Sequence, residues 1–404
     1  MAYNSAIEAE TVVIGLGAVG SAVLYQLARR GIKAVGVDRF APPHSLGSSH
    51  GETRITRQAV GEGAAYVPLV LASHRTWREV EAATGDTLLT ACGALIMAPG
   101  GAPTSHHGKP DFVGRSLETA TAFGIPHEVL DGREIRRRFP HLVGVTDNLR
   151  GYYEPGAGYV VPERCIEAQL RLAERNGAAI RTGTDVRALR QVGDHVEVET
   201  SSGLICAGRA VVSAGAWTGA LLGPPFDRLL AVSRQVLHWF ETEPRADFGE
   251  RPPVFIWMHG ASDVDYLYGF PPLPGDRRVK FATEQYVDTT TVEQVDRDVN
   301  PSESRAMFDT HVRGRVAGVT PRAVKAAACL YTVTPDRGFI IDRHPEGERV
   351  TVVSACSGHG FKHSAGIGFA LAEEIATGMS PIDLAPFGIE RFSETGIGRN
   401  AGAD

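Results

Sequence analysis

Short apolar runs along the chain break off at glycines, and the first of them is the most regular. Thr11-Val-Val-Ile14 is a β-branched run, the composition of a buried strand, and it stops abruptly at Gly15. Gly15-Leu-Gly-Ala-Val-Gly20 follows, and Ser21 to Arg30 then reads as a helix that Gly31 closes. Lys33 to Val37 predicts a second strand, ending at Asp38. The three pieces make a strand–helix–strand unit of about thirty residues, the usual size of a parallel crossover.

The same grammar returns at the other end. Val350 to Ser354 predicts a strand, Cys356-Ser-Gly-His-Gly360 a turn, and Ala365 to Thr377 a helix. Between the ends, the pattern predicts a helix over 162–176 and strands over 178–182, 195–200 and 209–213. Proline- and glycine-rich breaks fall at 99–110, 223–225 and 271–275. Strand–glycine–helix units at both ends imply one α/β domain assembled from separated segments, with the middle of the chain forming a second.

Composition narrows the class. At 404 residues the chain is long enough for two domains, and 43% hydrophobic with 22% charged residues excludes a disordered chain, a coiled coil or a collagen-like repeat. A net charge of −6 argues against a broad nucleic-acid surface. The five cysteines are odd in number, scattered, and without a CxxC pair, so no metal framework is expected and the thiols read as reduced. Met1 to Glu10 is polar with no apolar leader, and no apolar run approaches the roughly 20 residues of a membrane helix, so the expectation is a cytoplasmic protein.

The glycine loop carries the first chemistry. Gly15 permits a tight turn, Gly17 lets backbone approach a pyrophosphate at the helix N-terminus, and Gly20 allows helix and strand to pack closely. Asp38, at the end of the next strand, can accept from ribose hydroxyls. A dinucleotide follows from this context, and the motif alone does not choose between NAD and FAD. Val211-Val-Ser-Ala-Gly-Ala-Trp217, a strand falling into a small-residue turn, suits an interrupted FAD domain. The polar stretch Gly47-Ser-Ser-His-Gly-Glu-Thr-Arg-Ile-Thr-Arg57 has no apolar period. Its arginines 54 and 57 would share a face on a helical turn and oppose on a strand, and a fixed guanidinium suits a carboxylate.

Gly47 to Arg57, continued by Ala59-Val-Gly-Glu-Gly-Ala-Ala-Tyr-Val-Pro-Leu69, resembles the segment seen in the monomeric sarcosine oxidase and N-methyltryptophan oxidase family. Ala328-Cys-Leu-Tyr-Thr332 with Phe339-Ile-Ile-Asp342, and Ser357-Gly-His-Gly-Phe-Lys362, agree with it in the same order. The resemblance implies a glutathione-reductase-like FAD-binding Rossmann domain from 1–84, 148–222 and 326–392. It also implies a substrate domain with a large antiparallel or mixed sheet from 85–147 and 223–325, a tail over 393–404, and a monomer.

By the same resemblance, FAD is attached covalently through its 8α-methyl to the sulfur of Cys329. Gly15, Gly17, Val19, Gly20, Asp38, Arg39, Ser48, Thr53, Val186, Gly215, Gly358, Gly360 and Lys362 are the expected cofactor contacts. Arg57 and Lys362 match the cations that bind the substrate carboxylate, with Tyr268, Met258 and His359 lining the pocket. Arg54 is expected beside the flavin ring, and Lys280 matches the lysine that activates oxygen. The implied activity is oxidation of an N-methyl or other secondary α-amino acid by O2, giving an imine, then formaldehyde and the primary amino acid, and hydrogen peroxide. Glu284 departs from the histidine expected four residues after Lys280 and leaves the substrate open. A cyclic imino acid such as pipecolate or proline, or a glycated amino acid, is the nearest alternative. A dehydrogenase passing electrons to a quinone or carrier protein, and a flavin-retaining binding module without turnover, are the others.

Overall fold

The computed structural model describes residues 8–101, 104–262 and 264–393, so most of the expected tail lies outside them. The N-terminal unit is β1 (Ala9–Ile14), α1 (Ala18–Ala28) and β2 (Ala34–Val37). β1 and β2 run parallel with Ile14 opposite Val37, so both strands end at one edge of the sheet. The chain leaves β1 through Gly15, whose φ of 84° suits glycine. Helix α1 is buried from Gly20 to Ala28 because it packs against two further helices, Pro162–Arg175 and Ser364–Thr377, as well as the sheet. Its sequence is accordingly apolar on nearly every face.

Among the described residues this sheet has eight strands. Ala179–Arg181, β2, β1 and Gly203–Val212 form a parallel run inward from one edge. The strand Gly203–Val212 is shared between partners on its other side. Its first half pairs antiparallel with His195–Thr200, and its second half pairs parallel with Gly347–Ser354. That second pairing brings the two ends of the chain into one layer, as the repeated strand–glycine–helix grammar implies.

A second sheet, nine-stranded among the described residues, is mixed. Its longest strand, Val319–Val333, runs antiparallel to Ala231–Thr242 and sets Cys329 opposite Gln235. The neighbouring strand Arg278–Ala282 sets Lys280 opposite Trp239, and Tyr266–Phe270 follows beside it. Two expected boundaries move. Leu149–Glu154, expected with the cofactor segments, pairs with Ala94–Pro99 and Glu128–Asp131 in this second sheet, where Tyr152 is fully buried. Residues 326–333, expected in the same place, belong to the long strand, whose ladder with 231–242 continues to Val333. Their backbone partners are therefore those of the second sheet and not of the cofactor layer. A smaller sheet of Arg54–Thr56, Gly158–Val160 and Leu89–Thr90 carries Arg54. Among the described residues no helix is long and apolar enough to cross a membrane.

Close helix contact at the back of the cofactor layer depends on glycine. A Cβ on Gly366 would lie 2.0 Å from the Leu69 carbonyl oxygen, and one on Gly368 would lie 2.6 Å from the Ala22 backbone. Gly366→Ala should therefore destabilise the fold by about 1–3 kcal/mol, the range for overpacking a dense contact. A lowered Tm in a thermal melt would show this, and an unchanged Tm would mean the helices separate at no cost.

Candidate active site

One cavity of about 530 Å³ runs from the β1–α1 turn to the face of the second sheet. At its first part are Gly15, Gly17, Val19, Asp38, Arg39, Val186 and Gly215. Asp38 is fixed there because its carboxylate accepts from the backbone N–H of Leu16 (2.7 Å) and of Phe40 (2.7 Å). Arg39 pairs with Asp185 at 3.3 Å on the rim. A Cβ on Gly215 would meet open space, whereas one on Gly20 would lie 1.8 Å from the Gly15 carbonyl oxygen. Gly20 thus closes helix onto strand and does not line the cavity. An open, glycine-lined turn at a helix N-terminus beside a fixed carboxylate fits the diphosphate and ribose of a dinucleotide.

Further in, Ser48, Arg54 and Cys329 meet. The Arg54 guanidinium donates to the Ser48 carbonyl at 2.9 Å and lies 3.6 Å from Cys329 Sγ, and the thiol points at the Ser48 carbonyl at 3.5 Å. Burial pushes the Cys329 thiol up, and the Arg54 charge opposes that. Residues 54–56 form a strand, so Arg54 and Arg57 diverge to separate partners within the same cavity.

Arg57 and Lys362 converge, and the group between them is a carboxylate of the chain itself. Arg57 Nη2 donates to both oxygens of Glu62 (3.0 and 2.9 Å), and Lys362 Nζ to Glu62 Oε1 at 3.1 Å. Burial would raise the Glu62 carboxyl, but Arg57, Lys362 and His107 outweigh it and hold it well below the usual range. Burial, with Arg57 adding to it, lowers Lys362 to about 8, although Glu62 pulls the other way. His359 Nε2 donates to the Arg337 carbonyl at 3.0 Å, which leaves Nδ1 as the bare nitrogen, 3.7 Å from Glu62. Burial keeps this imidazole neutral.

The remaining wall comes from the second sheet and from a hairpin. Tyr268 and Tyr331 line it, and the Tyr331 hydroxyl donates to Glu284 Oε1 at 3.0 Å. Glu284 Oε2 accepts from Tyr286 at 3.0 Å. His106 and His107 reach in from the hairpin of Ser105–His106 and Lys109–Pro110.

Besides Gly20, three of the expected residues lie elsewhere. Met258 packs in the apolar cluster with Ile96 and Tyr152, while Ile256, two positions earlier on the same face, takes the lining place. Thr53 and Lys280 sit behind the lining. Lys280 Nζ donates to the carbonyls of Gly51 (2.8 Å) and Thr53 (2.6 Å) and faces the Phe270 ring at 4.0 Å. Burial, then Arg54, holds its pKa well below that of an ordinary lysine.

The sequence reading missed Glu62, His106 and His107 as site residues. Glu62 carries a signal, an acid between two glycines inside the resembling segment. The histidine pair lies in the stretch 99–110, where proline and glycine suggest only a boundary.

Residues 10–374 match the family described as FAD dependent oxidoreductase (DAO). Monomeric sarcosine oxidase of Streptomyces avermitilis is 38% identical over 95% of this chain and 98% of its own. N-methyl-L-tryptophan oxidase of Yersinia pestis is 33% identical over 95% and 99%. In fold, the chain is similar to NikD, an unusual amino acid oxidase essential for nikkomycin biosynthesis (TM-score 0.80, 22% identity, 94% of this chain and 97% of that one). It is likewise similar to L-proline dehydrogenase from P. horikoshii (TM-score 0.80, 20% identity, 96% and 99%).

Because Lys362 attracts an anion only when protonated, affinity for a simple carboxylate should fall as pH rises through about 8. Glu62→Gln removes the charge that raises Lys362, so that fall should move to lower pH. At pH 6 the same variant should bind acetate about tenfold more tightly, since the cations lose their internal counter-charge. Calorimetric titration checks both, and unchanged affinity would mean Glu62 does not occupy the anion site.

Proposed function

Since the chain belongs to the DAO family of FAD-dependent oxidoreductases, we propose that it oxidises N-methyl or other secondary α-amino acids at the expense of O2, with the flavin joined to Cys329. The observation that carries this reading is that Arg57 and Lys362, both lining the cavity that also holds the dinucleotide turn, converge on one carboxylate. Two buried cations from segments 305 residues apart in sequence (362 − 57) form an anion site whose internal occupant, Glu62, has the substrate's own functional group.

Gly15, Gly17, Asp38, Ser48, Arg54 and Cys329 are the residues that would hold FAD. When bound, it supplies a hydride acceptor that O2 restores, with release of hydrogen peroxide. The chain's own part is placement. Arg57 and Lys362 fix the carboxylate, which leaves the amine and its N-methyl group few orientations. The rings of Tyr268, Tyr331 and His359 exclude water around them. His359, neutral and tethered to Arg337, adds no charge beside the amine, which must lose its proton before its lone pair can assist hydride departure. The imine product needs only water to yield formaldehyde and the primary amino acid.

Lys280 supports the oxygen half of the reaction. Its ammonium is held by two neutral carbonyls, so its charge is not cancelled by a direct ion pair with a carboxylate. A cation in such a place stabilises negative charge as it develops on oxygen.

Three measurements test the reading. Anaerobic addition of N-methyl amino acids should bleach the flavin, and failure of every secondary amine would overturn it. Acid-precipitated protein should stay yellow, whereas colour lost wholly to the supernatant would refute the bond to Cys329. Lys280→Met should spare anaerobic reduction and slow reoxidation by about 10²–10³-fold. Because the Lys280 pKa is depressed, its cationic form is lost as pH rises, so wild-type reoxidation should slow with rising pH and the variant should lack that dependence.

A further inference from the structure

The imidazole of His107 stands between two carboxylates. Nδ1 is 3.2 Å from Glu62 Oε1, and Nε2 is 3.1 Å from Glu284 Oε2. The first contact is a hydrogen bond; the second is an ion-pair distance without hydrogen-bond alignment. An ionised carboxylate only accepts, so a ring nitrogen bearing a lone pair would repel the oxygen it faces. A hydrogen on Nδ1 donates to Glu62, and a second on Nε2 sets a positive ring at ion-pair distance from Glu284; that ring is an imidazolium.

The surroundings agree. Glu284 cannot turn away from His107 without losing the Tyr286 and Tyr331 hydroxyls that donate to it. His106 lies against His107 with ring centroids 3.7 Å apart, and His359 at 4.9 Å; burial keeps both neutral. The Tyr286 ring is 6.5 Å away, with the Arg337 guanidinium 4.2 Å from that ring. Arg57 and Lys362 meet His107 only across Glu62. Burial lowers the His107 pKa, but Glu284 and Glu62 reverse that and raise it.

We propose that His107, paired with Glu284, is a third cationic group of the carboxylate site beside Arg57 and Lys362, and that Glu284 is the positioning residue that makes it one. All three cations lie within 3.2 Å of an oxygen of the same carboxylate, Glu62. The inference rests on the reading of Arg57 and Lys362 as the substrate's anion site. It assigns the departure at Glu284 a role in substrate selection. A histidine there could not supply the fixed negative charge that keeps its neighbour protonated.

Acetate binding to the flavin-loaded protein, followed by calorimetry from pH 5.5 to 9, tests the proposal. His107→Asn should weaken acetate about tenfold at pH 6, as loss of a charge-assisted hydrogen bond does. Glu284→Gln retains the shape but removes the charge, so His107 should become neutral at lower pH. Acetate affinity should then fall with rising pH between about 5.5 and 7.5, a range in which the wild type stays level. Glu284→Asp should restore the level profile. A Glu284→Gln profile that overlays the wild type, or an unchanged dissociation constant in His107→Asn, would overturn the proposal. Arg57→Gln separates the two readings. If it leaves acetate binding intact, or the wild type binds no acetate at 100 mM, the anion site itself is wrong and the proposal falls with it. If Arg57→Gln abolishes binding while the His107 and Glu284 variants do not alter it, only the role of His107 and Glu284 fails.

Discussion

Two cations buried side by side need a negative partner, and much of the site is arranged around that requirement. Arg57 and Lys362 come from different layers, one following a short strand of the three-stranded sheet and the other from the turn before the last long helix. Burying both in a closed cavity without a counter-ion would be costly. Glu62 supplies it, and the hydrogen bonds to Glu62 tie together residues that the chain order keeps far apart. An incoming carboxylate enters a place already shaped and charged for one, which limits the reorganisation that binding must pay for.

The same requirement extends along the wall. Glu62 also contacts His107, whose second nitrogen faces Glu284, which in turn is held by two tyrosine hydroxyls. Charges alternate in sign along this line, so each desolvated group has a partner. The alternation makes the wall responsive to substitution, because removing one member leaves its neighbours unpaired. Arg54 and Lys280 stand apart from it, held mainly by backbone carbonyls of the segment 48–53. That segment is itself anchored by Glu163, whose carboxylate accepts from the N–H groups of Gly51 and Glu52. The helix Pro162–Arg175 thereby helps place a lysine carried by the other sheet.

Resemblance and geometry make different contributions. The resembling motifs name residues; the cavity shows which of them face a common space. Arg54, Arg57, Tyr268, Cys329, His359 and Lys362 all line it, while Met258 and Lys280 do not. For Met258 the difference is one strand pair along the same face, a distance that a motif does not resolve. For Lys280 it is the intervening backbone of Gly51 and Thr53, which no side-chain pattern reveals.

The sequence by itself determined the nucleotide-binding unit, because its chemistry is local. A strand, a glycine turn, a helix and an acid at the next strand's end lie within thirty residues, and each is dictated by short-range sterics and hydrogen bonding. It determined too that both ends of the chain share one layer, since both carry the same unit. Only the tertiary structure decided the rest. The membership of 149–154 and 326–333 in the second sheet depends on which strands pair, and pairing is a long-range choice that burial settles. The roles of Glu62, His107 and Glu284 depend on distances of about 3 Å between residues up to 177 positions apart (284 − 107). A carboxylate is an ordinary solvated group until folding removes its water, and only then does its charge require particular neighbours.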